Sequence, residues 1–348
     1  MLVRDLGEFR LIELLAETLA AEGVDGPEFM GDDIRSPYLG IGDDAAVWEG
    51  EAGTRVLTTD TMVEGVHFDL NLTGWRDLGW KAMAVNLSDV AAMGCLPTCS
   101  VVTLGLRDDL PVEGLIEMYR GMAEACRRHG GRVVGGDVVR SPVFFASVAM
   151  EGEARELGPD GRRTVLKRGD AEVGDVIAVT GSLGNSAGGL HMALAEETFD
   201  DSTERLRAAH FRPEPRLAEG QALAKAGIRT AMDISDGLVG DLTKLCDASG
   251  VGAVVRGNEV PVSEALRLQF PDRWLSLALT GGEDYELLFT GREEAVQEVS
   301  DAVDVPVTII GEIVEAPRGV SVVDADGDGI DAEGGGWDHF ATGSGGGD

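Results

Sequence analysis

The chain has 348 residues, 43% of them hydrophobic, enough to bury a sizeable core and to suggest two domains. Its 62 acidic residues against 29 basic ones leave a net charge of -33, which argues against DNA, RNA or anionic membranes as partners, since phosphate-rich surfaces would be repelled. The acids are scattered over helix faces and loops, the pattern of a solvated surface adapted to molar salt, where a Debye length of about 3 Å screens self-repulsion.

The first 25 residues place acids between leucines and read as an amphipathic helix without an apolar run of signal-peptide length. No stretch approaches the ~18 uncharged apolar residues of a membrane span. Cys95, Cys99, Cys126 and Cys246 form no CxxC pair and are expected as free thiols, with the cytoplasm as the expected location.

Strands are expected over 38–48 (YLGIGDDAAVW) and 54–63 (TRVLTTDTMV), each ending near an aspartate motif. A helix follows over 74–94, where Leu78, Ala82, Val85, Asp89, Ala92 and Met93 share one face at spacings of three and four. A strand over 97–106, a helix over 111–130 and strands over 132–139 and 142–153 complete a first ββαβαββ domain. The polar, turn-rich segment 154–175 holds the boundary. The second half opens with a strand over 175–181 and the glycine-rich GSLGNSAGG, alternates helices and strands to about residue 323, and ends in a glycine-rich tail expected to be disordered.

The chemistry lies in the aspartates: Asp43 and Asp44 in GDDAA, Asp60 in TTDT, Asp89 in NLSD, Asp137 in GGD, and Asp233 and Asp236 in MDISDG. None has a lysine or arginine within two positions, so burial of these carboxylates calls for another cation. Hard oxygen ligands suit Mg²⁺, which usually arrives with substrate phosphates, and the motifs therefore point to a nucleotide-using enzyme. Thr58 and Thr59 can join Asp60 in a metal shell, and Asp236 is also a candidate helix N-cap. GSLGNSAGG is either a phosphate contact or a tight strand-to-helix turn, but it is not a Walker A loop because no GK[ST] follows. DADGDGIDAEGG over 324–335 imitates an EF-hand loop, yet its twelfth position is Gly335, so it is expected to be an acidic surface turn.

In order, GDDAAV, TTDTMVEGVHF, GWKAMAVNLSDVAAMG, GGD, VTGSLG, MDISDGL, GGEDYELLF and GWDHF, spanning residues 42–340, resemble the thiamine-monophosphate kinase family. Its superfamily also contains aminoimidazole ribonucleotide synthetase, selenophosphate synthetase and a hydrogenase-maturation protein. The resemblance implies an α/β, two-domain aminoimidazole ribonucleotide synthetase-like fold. An N-terminal ATP- and Mg²⁺-binding domain over 1–155 would pair sheets in a homodimer. A C-terminal α/β domain over 156–342 would complete the nucleotide and substrate site, leaving 343–348 as the tail. Carried over by motif, Asp43, Thr58, Thr59, Asp60, Asp89, Asp137, Asp233 and Asp236 look like metal ligands. Gly136, Asp137, Arg168 and Ser235 look like ATP contacts, and His67, Glu283 and Trp337 like contacts to thiamine monophosphate.

The implied reaction transfers phosphoryl from ATP to thiamine monophosphate with the help of several Mg²⁺ ions. The nucleophile is a phosphate oxygen already ionised near neutral pH, so no general base is required. Two rivals stand beside this reading: another ATP-using enzyme of the superfamily, such as the aminoimidazole-forming synthetase, and an acidic calcium-binding module suggested by DADGDG.

Overall fold

A computed structural model of the chain describes residues 2–6, 8–23, 53–157 and 163–330. The strand expected over 38–48 with Asp43 and Asp44, the GWDHF motif with Trp337, and the 343–348 tail lie outside the described residues. The first half contains α1 (Val3–Leu6), α2 (Glu8–Ala21), β1 (Arg55–Val63), α3 (Trp75–Ala92), β2 (Leu96–Leu106), α4 (Val112–His129), β3 (Arg132–Arg140) and β4 (Phe145–Glu153). The second half contains β5 (Val176–Thr180), α5 (Asn185–Leu194), α6 (Glu204–Phe211), α7 (Leu217–Lys225), β6 (Thr230–Asp233), α8 (Leu238–Ser249) and β7 (Val251–Arg256). It continues through α9 (Glu264–Gln269), α10 (Trp274–Thr280), β8 (Leu287–Gly291), α11 (Glu293–Ala302), β9 (Val307–Glu315), β10 (Val320–Val323) and β11 (Gly329–Ile330). From β1 to β5 this is the order expected from the periodicity.

Among the described residues the strands form two sheets, ordered β1-β4-β2-β3 in the first half and β11-β10-β7-β9-β5-β8-β6 in the second. β2 and β3 run parallel, which requires the crossover that α4 supplies. Alternation along the first sheet turns Val102, Leu104, Ala146, Val148 and Met150 into the core beneath the helices. The other face is open, and Leu57, Val101 and Val139 are exposed on it. The second sheet is covered on both sides. Ile177 and Val179 enter one core with Leu242 and Leu288, whereas Ala178 between them enters another with Leu287 and Phe289.

α3 organises the junction between the halves. A single apolar face was expected, but the helix is buried nearly all round, including Lys81, Asn86 and Ser88. The reason is its position: it packs on α4, β1 and β4 of its own half and on α7 and β6 of the other. Glycines bring α3 and α4 backbone to backbone, since a Cβ on Gly79 would lie 1.8 Å from the Met118 carbonyl oxygen and one on Gly121 1.9 Å from that of Arg76.

The four cysteines are free, as expected, and buried. Among the described residues no helix is long and apolar enough to cross a membrane. The start of the acidic segment forms a turn between β10 and β11, closed by the Asp324 amide on the Asp328 carbonyl at 2.9 Å and by the Asp326 and Asp328 amides on the Asp324 carboxylate.

Candidate functional site

Strand alternation sends Thr58 and Asp60 of β1 toward α3. There the Thr58 hydroxyl donates to Asp89 Oδ2, and Asn86 of α3 accepts the Asp60 amide at 3.1 Å while donating to the Ala82 carbonyl. Two carboxylates thus share a partly buried pocket. Burial first, then the charge of Asp89 and a hydrogen bond with it, and finally Asp236, push Asp60 up to about 6. Burial also raises Asp89, against the Thr58 hydroxyl, the charge of Arg168 and the hydrogen bond with Asp60.

The second half brings its own carboxylates to the same place. Asp233 ends β6, almost wholly buried, and accepts the Ser88 hydroxyl of α3 at 2.7 Å. Burial, followed by the Asp89 charge, pushes it up to about 7 despite that hydrogen bond, with Asp241 and Asp60 adding to the shift. The following turn is held by Asp241, whose Oδ2 accepts the amides of Ser235 at 3.0 Å and Asp236 at 2.9 Å. Asp236 makes no helix cap, because the N-cap position of α8 falls on Gly237. Its carboxylate instead pairs with Lys244, which also reaches Asp241 Oδ1 at 2.8 Å. The partners missing from the local sequence around these aspartates are therefore supplied in part from a distance, by Lys244 for Asp236 and by the Arg168 charge for Asp89.

The GGEDYEL segment packs directly onto this turn. The Glu283 amide donates to the Ser235 carbonyl at 2.8 Å, and the Tyr285 amide to the Ile234 carbonyl at 2.9 Å. Both residues are left-handed, with φ of 65° at Glu283 and 51° at Tyr285, a conformation that costs side-chain-bearing residues about 1–3 kcal/mol and clusters at functional sites. Burial would raise Glu283, but Lys81 and His210, with a weaker contribution from His67, outweigh it and hold the carboxyl below its usual value. Glu283 and His67, two predicted substrate contacts, thus face the same region. His67 is fixed in part by accepting the Val63 amide on its Nδ1 at 3.1 Å.

Between β1, α3 and β6 lies a cleft of about 640 Å³, lined among others by Thr58, Asp89, Lys167, Arg168 and Asp233. It joins residues from both halves and is large enough for a nucleotide. Thr59 and Asp137 lie elsewhere. Alternation places Thr59 on the open face of the first sheet, where its hydroxyl donates to the Val148 carbonyl at 3.0 Å. Asp137 is in register with Thr103, Ser147 and Thr61 across that face, and it accepts the Val138 amide at 2.9 Å. Gly136 has a packing reason to be glycine: a Cβ there would lie 1.9 Å from the Val102 carbonyl oxygen.

The glycine-rich segment after β5 resolves as a tight turn into α5. Amides at its start are taken by Asp284, whose carboxylate accepts Gly184 N at 2.6 Å and Ser186 N at 3.1 Å, so they are not open to a phosphate. Several further residues escaped the sequence reading, namely Asn86, Ser88, Asp241, Lys244, Lys81 and His210. A lysine amid the apolar run of GWKAMAV was the available signal for Lys81. Among the described residues no three His, Cys, Asp or Glu side chains are assembled closely enough to hold an ion by themselves. An ion bound here would draw further oxygens from outside that set, and substrate phosphates are suited to supply them.

Comparison with known proteins places these features in context. The models of the AIR synthase related protein N-terminal and C-terminal domains match residues 42–154 and 172–324. Thiamine-monophosphate kinase of Aquifex aeolicus (strain VF5) is 36% identical over 345 residues, covering 98% of this chain and all of that protein. The crystal structure of thiamine-monophosphate kinase from Stenotrophomonas maltophilia K279a superposes with a TM-score of 0.78 at 36% identity, covering 93% of this chain and 98% of that one. A structure described as AaThiL complexed with AMPPCP and TMP gives a TM-score of 0.74 at 34% identity, covering 98% of this chain and 99% of that one.

Proposed function

The chain belongs to the thiamine-monophosphate kinase family, and from that premise we propose that it phosphorylates thiamine monophosphate to thiamine diphosphate with ATP as donor, in the cleft between β1, α3 and β6. The observation that carries this reading is the convergence of Thr58, Asp89, Arg168 and Asp233, from both halves of the chain, on one cleft of nucleotide size. The AMPPCP and TMP of the related complex are an ATP analogue and, on this reading, the acceptor.

The donor set fits a hard divalent cation. Burial and then the Asp89 charge raise Asp60 and Asp233, and bringing a dication among them would offset that repulsion. Mg²⁺ would be held by Asp60, Asp89, Asp233 and Asp236 with Thr58, joined by Asp43, whereas Thr59 and Asp137, on the opposite face of the first sheet, stand outside this cleft. When bound it supplies charge neutralisation for the donor and acceptor phosphates. The protein's own contribution is placement. Arg168 and Ser235 border the nucleotide end, Asp241 fixes the turn that carries Ser235, and Glu283 and His67 face the acceptor. Trp337 completes that acceptor set. A direct in-line transfer then needs no protein base, because the acceptor phosphate is already ionised.

Residues 1–155 form the nucleotide- and dimer-forming domain and 156–342 the domain that closes the site. The open face of the first sheet, with Leu57 78% exposed, supports pairing with a second copy. The cytoplasm is the expected site of the reaction. A coupled assay for thiamine diphosphate in high salt tests the function directly. ATP turnover that leaves thiamine monophosphate unphosphorylated would overturn it, and free thiamine is expected to be a poor acceptor because it lacks the anionic nucleophile.

A further inference from the structure

Lys81 lies on α3, 2% exposed, and its ammonium is 3.0 Å from Oε1 and 3.0 Å from Oε2 of Glu283. Its partner is 202 residues away in sequence, in the left-handed turn that rests on Ser235, so the ion pair crosses from one half of the chain to the other. His210 of α6 stands 3.5 Å from the same carboxylate and 3.1 Å from the Ser186 hydroxyl. A buried ion pair is a weak source of stability, because desolvation of both charges offsets their attraction. Here it coincides with a strained backbone, a combination expected where geometry serves function. The Glu283 side chain remains 28% exposed, and the His67 charge contributes to holding it ionised.

We propose that Lys81 is a positioning residue for the phosphoryl acceptor: by gripping Glu283 from across the junction, it fixes the carboxylate in the orientation that receives the cationic thiazolium of the substrate. This rests on the reading of Glu283 as an acceptor contact. Lys81 spans both oxygens of the carboxylate, and the His210 ring closes its buried side, so the exposed part alone is left for the substrate. Ser235, read as an ATP contact, meets this segment through the Glu283 amide on its own carbonyl, a backbone bond that replacing the Lys81 or Glu283 side chain leaves in place.

The test is steady-state kinetics of the full chain carrying Lys81→Met, Glu283→Gln, or both, in saturating Mg²⁺. Lys81→Met is expected to raise KM for thiamine monophosphate about tenfold or more and to leave KM for ATP within about twofold. The double variant is expected to match Glu283→Gln, since Lys81 acts through Glu283 alone. A raised acceptor KM in Glu283→Gln with none in Lys81→Met overturns the role of Lys81, as does a double variant worse than Glu283→Gln. An unchanged acceptor KM in Glu283→Gln overturns instead the underlying placement of the acceptor. If Lys81→Met fails to fold, Lys81→Arg, which keeps a cation beside Glu283 but changes how it spans the two oxygens, takes its place: a raised KM for thiamine monophosphate is expected, and an unchanged one overturns the role of Lys81.

Discussion

The Ser88 hydroxyl on α3 donates to the Asp233 carboxylate at the end of β6 at 2.7 Å, with both side chains buried, and so ties the two halves of the chain together beside the cleft. This bond favours the ionised form of Asp233 against burial and the nearby Asp89 charge. Ser88→Ala removes it and leaves the carboxylate harder to ionise. The expected result is a stability loss of about 1 kcal/mol together with a higher Mg²⁺ requirement, read as the metal concentration for half-maximal rate. An unchanged metal requirement would count against Asp233 as a ligand.

Asp89→Asn keeps the side-chain shape and the Thr58 hydrogen bond but removes a charge from the cluster. Loss of one such group is expected to lower kcat by about 100-fold or more where electrostatic stabilisation dominates, with the melting temperature maintained. Asp326→Asn is the matched control, since its turn is held by the Asp324 carboxylate on the amides of Asp326 and Asp328, and it is expected to be silent. Comparable rates in the two variants would remove the metal role from Asp89.

The aspartate motifs were legible because no basic residue stands within two positions of any of them and because Asp89 falls in a helix too apolar for a surface carboxylate, signals that survive without three-dimensional information. Asp60, however, lies within β1 and not at the expected strand end. The strand and helix order of the first half was legible from its periodicity. What was hidden is long-range. Asp284 occupies the α5 amides from 100 residues away, Lys244 pairs with Asp236 one helix later, and α3 is buried on several faces because a second domain covers it. Register also mattered: alternation separates Thr59 from Thr58 and Asp60, a distinction the TTD motif does not display.

The His210 ring is buried among Lys81, Glu283 and Ser186, and burial, then the Lys81 charge, depress it to about 3 despite the attraction of Glu283. A histidine with a depressed folded-state value stabilises fully above its unfolded pKa of about 6.5, and that contribution is lost as pH falls toward the folded value. Between pH ~6.5 and ~5 the loss is about 2 kcal/mol. Asp60 and Asp233 act in the opposite sense, since raised carboxyls lose stability as pH rises, and His129, depressed to about 4, acts in the same sense as His210. Those groups are common to wild type and His210→Asn, so the difference between their melting temperatures isolates His210. It is expected to shrink from pH 7 to pH 5, and parallel curves would show that His210 is not buried in the neutral form.

The open face of the first sheet supports the homodimer. Leu57, Val101 and Val139 are exposed there, and burying them against a second copy would be favourable at roughly 25 cal/mol per Å². Light scattering in concentrated KCl is expected to give twice the chain mass, and Leu57→Asp to shift the population toward monomer. A fully active wild-type monomer would rule out the pairing.

Salt decides the last prediction, and the argument rests on charge balance. Basic residues are already engaged, for example Arg10 with Glu13 and Glu17, and Arg212 with Asp77 and Glu124. Added salt weakens such exposed pairs, each worth about 0–1 kcal/mol. Against them stand the uncompensated charges, a net -33 over the chain, which repel one another on a folded surface and move apart on unfolding. Because the repulsion of a net -33 sums over more pairs than these attractive contacts do, screening it wins. The Debye length falls from about 10 Å at 0.1 M to about 3 Å at 1 M, so the melting temperature of the ligand-free protein is expected to climb steeply up to molar KCl and then level off. Mg²⁺ and ATP should add a smaller increment by binding the folded state. Thermal unfolding followed from about 0.1 M to about 3 M KCl checks this, and a melting temperature independent of salt would mean that the acidic surface serves solubility alone.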